Sequence, residues 1–332
     1  MGTSKIEWTD AVWNPVTGCS KVSAGCKNCY AERIFPRIYG NQSIDEGTGP
    51  HHRRFIDVVC HPERLEQPLQ WRKPRRIFVN SMSDLFHEAV PDEFVDKVFA
   101  VMLACAALEG RRHTFQILTK RPERMRCYLT NVQSKPGTDL LRRWAEVGNG
   151  WICMDDEDVL FSEYIMGRTC FDWDDDGYNS GDSVYAPWAY TRKLFPLPNV
   201  CLGVSVENQE TADERIPLLL QTPAVVRFVS YEPAIGPMQL TRHHQWCPEH
   251  DFDGGFCSSP CPSLRSIDWL ICGGESGPKA RPMQEEWARD VMLQCRASRV
   301  PFFMKQGSKY NWPDFKNFES FPDDLQVREF PK

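Results

Sequence analysis

The 332-residue sequence has no apolar run long enough to cross a bilayer. Its longest, Val98 to Leu108, falls well short of the roughly 20 residues a membrane helix needs. The opening Met1 to Asp10 has no apolar leader, so the expectation is a soluble cytoplasmic protein with no membrane partner. A surplus of positive charge is also missing. A net charge of −6 excludes a global attraction to nucleic acid and leaves only local basic patches, at Arg72 to Arg76, Arg111-Arg112 and Lys120 to Arg126. There is no nucleophile elbow of the kind that serves a Ser/His/Asp hydrolase. Without a secretory signal, the fourteen cysteines are expected as metal ligands and buried thiols rather than disulfides.

What is present is a chain that is 41% hydrophobic, ample for one large core, and the expectation is a single α/β domain over residues 1–332. Six short β-branched and apolar runs predict strands: Arg76 to Asn80, Thr114 to Leu118, Val200 to Val206, Val225 to Ser230, Trp269 to Cys272 and Pro301 to Lys305. Between them, Pro91 to Leu108, Thr211 to Leu220 and Gln284 to Ala297 have apolar residues at helical spacing. Alternation of this kind predicts parallel strands joined by crossover helices. Each strand runs into a polar cluster: Asn80 to Asp84, Thr119 to Arg121, Ser205 to Glu207, Tyr231 to Pro233, Gly273 to Ser276 and Lys305-Gln306. In parallel α/β sheets these carboxyl ends share one rim, where catalytic groups gather.

Two segments break the alternation and read as insertions. Residues 130–196 are acidic and aromatic, with ten Asp or Glu against one Arg between Trp151 and Asp182. Asp172, Asp174, Asp176 and Gly177 copy the first half of a calcium loop, but Ser183 stands where the bidentate Glu belongs, so a solvated flap over the rim is the preferred reading. Residues 241–265 carry Cys247, His250, Cys257 and Cys261, two close pairs with the spacing of a zinc knuckle. A structural zinc, an auxiliary iron–sulfur cluster and a loop with incidental thiols all stand as readings.

Near the amino end, Cys19, Cys26 and Cys29 sit on one glycine-bearing loop with no fourth ligand at the usual distance. Three thiolates can hold three irons of a 4Fe–4S cluster and leave the fourth iron to a ligand from outside the protein. S-adenosylmethionine (SAM) can take that position, and an electron from the cluster then cleaves it to a 5′-deoxyadenosyl radical. Zinc is the alternative occupant. Cys105 and Cys295 fall in helical patterns and Cys201 and Cys272 in strands, where a buried free thiol is common. Cys60, Cys127, Cys153 and Cys170 receive no role.

The runs Lys5 to Asp10, Trp13 to Cys19, Phe78 to His87, Leu118 to Arg124, Leu202 to Glu207, Glu232-Pro233, and Gly273 to Gly277 with Arg281-Pro282 together are similar to a phage- and prophage-associated family of radical SAM-like proteins, mostly of unknown function. The likeness covers nearly the whole chain, least of all the two insertions. It implies a partial (β/α) barrel of the radical SAM type, a reductant such as flavodoxin or ferredoxin, and the cytoplasm of a bacterial host for a phage-borne copy. Typical members of the wider superfamily space these cysteines C-x3-C-x2-C. Here the spacing is C-x6-C-x2-C, which enlarges the first loop without changing the ligand count.

By the same resemblance, Tyr30 lies beside the cluster, Asn80, Ser81 and Asp84 receive the SAM amino group, and Lys120, Ser205 and Glu207 receive its ribose and carboxylate. Gly273 and Gly274 allow close backbone approach to adenine or substrate, and Glu232 and Glu275 ligate substrate or SAM. Ion pairing with Arg227 or another arginine is the competing reading for Glu232, and a satisfied helix-start histidine is the competing reading for His87. Tyr231 and Cys272 are candidates for returning a hydrogen atom. Expected substrates are a nucleotide or DNA base, as in thymine hypermodification by glycyl isomerisation, or a DNA photoproduct. The reading from a different class is a non-catalytic, zinc-stabilised nucleic-acid-binding protein.

Overall fold

A computed structural model describes residues 4, 6–40, 43–45, 50–108, 112–130, 136–152, 159–169, 194–240, 267–312 and 314–331. Its centre is a curled, seven-stranded half-barrel sheet. The strands are β1 (Ala11–Trp13), β6 (Arg76–Val79), β7 (Thr114–Thr119), β8 (Val200–Val206), β9 (Val226–Tyr231), β10 (Trp269–Gly273) and β11 (Phe302–Gln306), side by side in that order and all parallel. The short pairs β2 (Val16–Thr17) with β5 (Val59–Cys60), and β3 (Ser43–Asp45) with β4 (Pro50–His52), lie outside this sheet.

All six predicted strands are present. The sequence reading missed β1, whose three residues are too few to show a period. Helices α2 (Asp92–Ala107), α6 (Gln209–Leu220) and α7 (Glu285–Ser298) match the predicted ones within about two residues. Four more were not foreseen: α1 (Tyr30–Tyr39), α3 (Pro122–Thr130), α4 (Pro136–Gly148) and α5 (Phe161–Thr169). The last two fall within the 130–196 insertion, whose Asp172 to Ser183 stretch lies outside the described residues.

A sheet whose parallel strands follow chain order has no switch point. Right-handed crossovers then put every connecting helix on the same face, and that face holds the main core. Val200, Leu202, Val204 and Val206 of β8, Val229 and Tyr231 of β9, and Leu270 and Cys272 of β10 all belong to it, together with Ala212, Ile216 and Leu219 of α6 and Ala288, Val291, Met292 and Cys295 of α7. The alternate residues point to the concave side. There a second, smaller cluster gathers Trp8, Cys201, Phe228, Trp269, Ile271 and Phe303, with Phe78 and Leu118 packed on it. Trp8 closes this floor, its ring 4.7 Å from Phe78 and 6.1 Å from Trp269.

Candidate functional site

Continuing along the concave side beyond the aromatic floor, the inward positions turn polar. Asn80 follows β6, Lys120 follows β7, Ser205 ends β8 and Lys305 lies near the end of β11. The cysteine loop arches over this mouth and is tied to it at both ends. Gly18 N donates to Met82 O at 3.0 Å and Cys19 N to Phe55 O at 2.8 Å. Gly18 has φ +94°, and a side chain there would strike the Asp57 carbonyl, so this tie requires glycine. At the far end, Asn28 donates to Glu275 (2.9 Å) and to Lys279 O (2.7 Å), and Arg281 donates to Ala24 O (3.0 Å).

Between loop and strands lies a cavity of about 170 Å³, whose lining includes Cys19, Cys26 and Cys29 with Ser20, Asn80, Ser81, Asp84, Lys120, Arg121 and Ser205. Phe78 and Leu118 form its apolar base. A larger cavity of about 790 Å³ opens at the other end of the sheet, against Val225, Ile267 and Phe330, and holds none of the candidate residues.

The three thiols are free and partly buried. All three line the cavity, and the nearby Asp84 carboxylate is fully engaged. Among the described residues, no three His, Cys, Asp or Glu side chains are arranged to hold a metal ion. Cys19 Sγ instead donates to Ser20 O (3.4 Å) and accepts from Arg121 Nη1 (3.6 Å). Burial, aided by the Asp84 charge, outweighs the favourable charge of Arg121 and pushes the Cys19 thiol up to about 11.

Several expected roles change once partners are visible. Asp84 is buried, and its carboxylate accepts from Phe86 N (3.0 Å), Thr119 Oγ1 (2.8 Å), Lys120 N (3.0 Å) and Arg121 Nη1 (3.3 Å). It organises the wall and has little capacity left for a SAM amino group. Glu275 is occupied by Asn28, by Arg281 N at 2.8 Å and by the Arg281 guanidinium, which lowers its carboxyl pKa against the effect of burial, so it is a tether for the cysteine loop. Gly274 has its close approach to the Ser308 backbone, not to a ligand space. Glu232 pairs with Lys305 at 2.5 Å rather than with an arginine. Tyr30 is 57% exposed, with the Arg33 guanidinium 5.5 Å from its ring centroid. Tyr231 and Cys272 belong to the core on the helix side, so neither can deliver a hydrogen atom to the mouth. Cys247, His250, Cys257 and Cys261 lie outside the described residues.

Five expected residues remain well placed. Asn80, buried and at φ +62°, uses its Oδ1 to accept from Val16 N, while its Nδ2 has no partner. A buried amide donor without a protein partner is uncommon in native structures. Glu207 is wholly buried and accepts through Oε1 from Ser23 Oγ (2.8 Å) and Arg215 Nη1 (3.2 Å), with Lys120 at 3.5 Å; its Oε2 is unpartnered. Lys120 Nζ donates to Ser205 Oγ at 2.5 Å, which in turn donates to Glu232 O. Ser81 lines the wall and donates to Asn14 Oδ1.

The sequence reading did not single out Arg121, Ser20 or Gly25. Arg121 is buried and also donates to Glu88 (2.9 Å) and to Ser20 Oγ (2.9 Å). It stands in the strand-end cluster Thr119 to Arg121, so the signal was present but shared with Lys120. Ser20 Oγ also meets His87 Nε2 at 2.8 Å. Because Ala89 N donates to His87 Nδ1, the ring proton sits on Nε2 and is given to Ser20. Burial lowers the His87 pKa and keeps the ring neutral, so the satisfied-histidine reading fits the contacts. Gly25 packs directly on Glu207.

The fold and site thus define an α/β half-barrel protein with a three-cysteine loop over the carboxyl ends of its strands. The chain belongs to the family described as "Protein of unknown function (DUF5131)", whose model matches residues 3–321. No curated protein and no solved structure matches it.

Proposed function

We propose that the protein is a radical SAM enzyme. The observation that supports this reading is the convergence of Cys19, Cys26 and Cys29 on one cavity at the carboxyl ends of a parallel half-barrel, where the neighbouring Asp84 carboxylate is already engaged. A 4Fe–4S cluster on these thiolates would supply the electron that cleaves bound SAM to a substrate-activating radical. The chain's own residues supply the rest. Arg121 places a fixed positive charge beside the Cys19 sulfur. Asn80 offers the open donor, and Lys120 is held forward by Ser205 and Glu207. Phe78 and Leu118 keep the base of the cavity apolar, which strengthens polar contacts above it. A nucleotide or DNA base is the substrate this proposal carries forward.

Anaerobic reconstitution with iron and sulfide tests it. The expected product is a brown protein whose reduced form has a low-temperature spin-resonance signal that changes on adding SAM, and that loses iron in Cys19→Ala, Cys26→Ala and Cys29→Ala. A colourless protein that takes up zinc in place of iron, or a signal retained in all three variants, would sink the reading.

A further inference from the structure

Around the mouth, cations divide into two groups. Those turned inward are matched: Lys120 with Glu207, Arg121 with Asp84 and Glu88, Arg281 with Glu275, Lys305 with Glu232. Lys27, Arg33, Lys279 and Lys309 are exposed, and none of them forms an ion pair with a described carboxylate. Glu32, on the same helix as Arg33, is taken by Lys21 at 2.9 Å.

These four come from separate parts of the chain but share one apron. Asn28, next to Lys27, bonds to the Lys279 carbonyl at 2.7 Å. Gly277 lies against the Arg33 guanidinium. Lys309 N donates to Glu275 O at 2.9 Å, and Glu275 holds Asn28 in turn. Two large aromatic rings stand out from the same apron: Tyr30, 57% exposed with Arg33 at 5.5 Å from its ring, and Tyr310, 70% exposed beside Lys309. In a chain of net charge −6, four cations without a described carboxylate partner, interleaved with two exposed tyrosines, offer positive charge and ring faces together.

We infer that this apron docks an unpaired stretch of nucleic acid, with phosphates on Lys27, Arg33, Lys279 and Lys309 and bases stacked on Tyr30 and Tyr310, next to the thiol-lined cavity. The tyrosines favour an unpaired strand over a duplex, whose bases are already stacked. They also favour nucleic acid over an acidic peptide, which has no faces to stack. The inference deepens the proposed function by naming a substrate class, and it rests on that reading only for what happens in the cavity.

The test is fluorescence anisotropy of a short labelled oligothymidylate with full-length, metal-free protein, so that docking is read independently of iron. Four phosphate contacts give an expected slope of log K against log salt near about −3 for a single strand. Replacing all four cations (Lys27→Gln, Arg33→Gln, Lys279→Gln, Lys309→Gln) should weaken binding more than tenfold and flatten that slope. Tyr30→Leu and Tyr310→Leu, which keep every charge, should each weaken it on the order of tenfold. Circular dichroism should show all variants folded, since the six side chains are on the surface. Binding that is unchanged in the fourfold variant would overturn the inference, as would binding that is no tighter than that of a polyglutamate peptide, an equal-length duplex or phosphatidylserine vesicles. A protein that binds the oligonucleotide but never takes up iron would leave the apron standing and remove the radical reading. Iron and a SAM-sensitive signal without oligonucleotide binding would do the reverse.

Discussion

The concave side of the sheet has two ends built from the same strands. At the amino end, Trp8, Phe228, Trp269 and Phe303 form a closed aromatic floor. At the carboxyl end, Asn80, Lys120, Ser205, Glu207 and the cysteine loop form a polar mouth with buried atoms that have no partner. The floor meets the demands of its side chains by packing, with the exception of the buried Trp8 indole N–H, which has no partner. The mouth leaves some unmet, which costs stability and is tolerated where a ligand completes the set. Stability and binding should therefore separate along the length of single strands.

The sharpest way to break this separation is Trp269→Ala. A wholly buried tryptophan removed from the floor should cost about 3–5 kcal/mol in urea unfolding, with iron bound per folded chain unchanged. A loss of iron in the folded fraction would show that the two ends are not independent. Gly25→Ala is the mouth's counterpart. Its new methyl group would meet Glu207, which is itself clamped by Arg215 and Lys120, so about 1–3 kcal/mol of overpacking is expected. Here iron content should fall with the loop's position, whereas full iron uptake would mean the loop's seat on Glu207 is irrelevant to metal.

Asn80→Gly should change stability by less than about 1 kcal/mol. Relief of the positive φ offsets the lost bond to Val16, while SAM affinity by calorimetry should drop because the open donor is gone. Equal affinity in both proteins would assign Asn80 to backbone geometry alone. Cys19 in the metal-free protein gives the smallest stability effect and a clear reactivity one. With its thiol raised from 9.0 to about 11, alkylation by iodoacetamide at pH 8 should run about two orders of magnitude slower than in the urea-unfolded chain. The folded state holds this proton more tightly, so the associated stability is full below pH 9 and is lost as pH rises from there through about 11. Equal alkylation rates in folded and unfolded protein would show Cys19 to be solvated.

The large elements were legible because their signals are local. Val200 to Val206 is buried at every position and apolar at all but Ser205, because helices cover one face of the sheet and the floor and mouth occupy the other, and a strand buried on both sides reads as a nearly continuous apolar run. Helix α2 announced itself through apolar residues at helical spacing over Pro91 to Leu108. Helix α1 did not, since Pro36 interrupts it and its start coincides with the cysteine motif. The mouth was half legible. That Asn80, Lys120, Ser205 and Glu207 would meet at one rim followed from strand ends alone, as did the three thiols on one loop.

By itself, the sequence determined six of the seven strands of the main sheet, their polar termini and the spacing of Cys19, Cys26 and Cys29, since each of these is written in neighbouring residues. Only the tertiary structure decided which polar groups are spent and which are open. Asp84 is saturated by Thr119, Lys120 and Arg121, and Glu275 by Asn28 from some 250 residues away, whereas Asn80 and Glu207 each keep one buried atom free. A carboxylate's partners are chosen by distance in space, and the chain brings them together only by folding. Whether a strand-end residue can receive a ligand is for that reason a property of its remote neighbours.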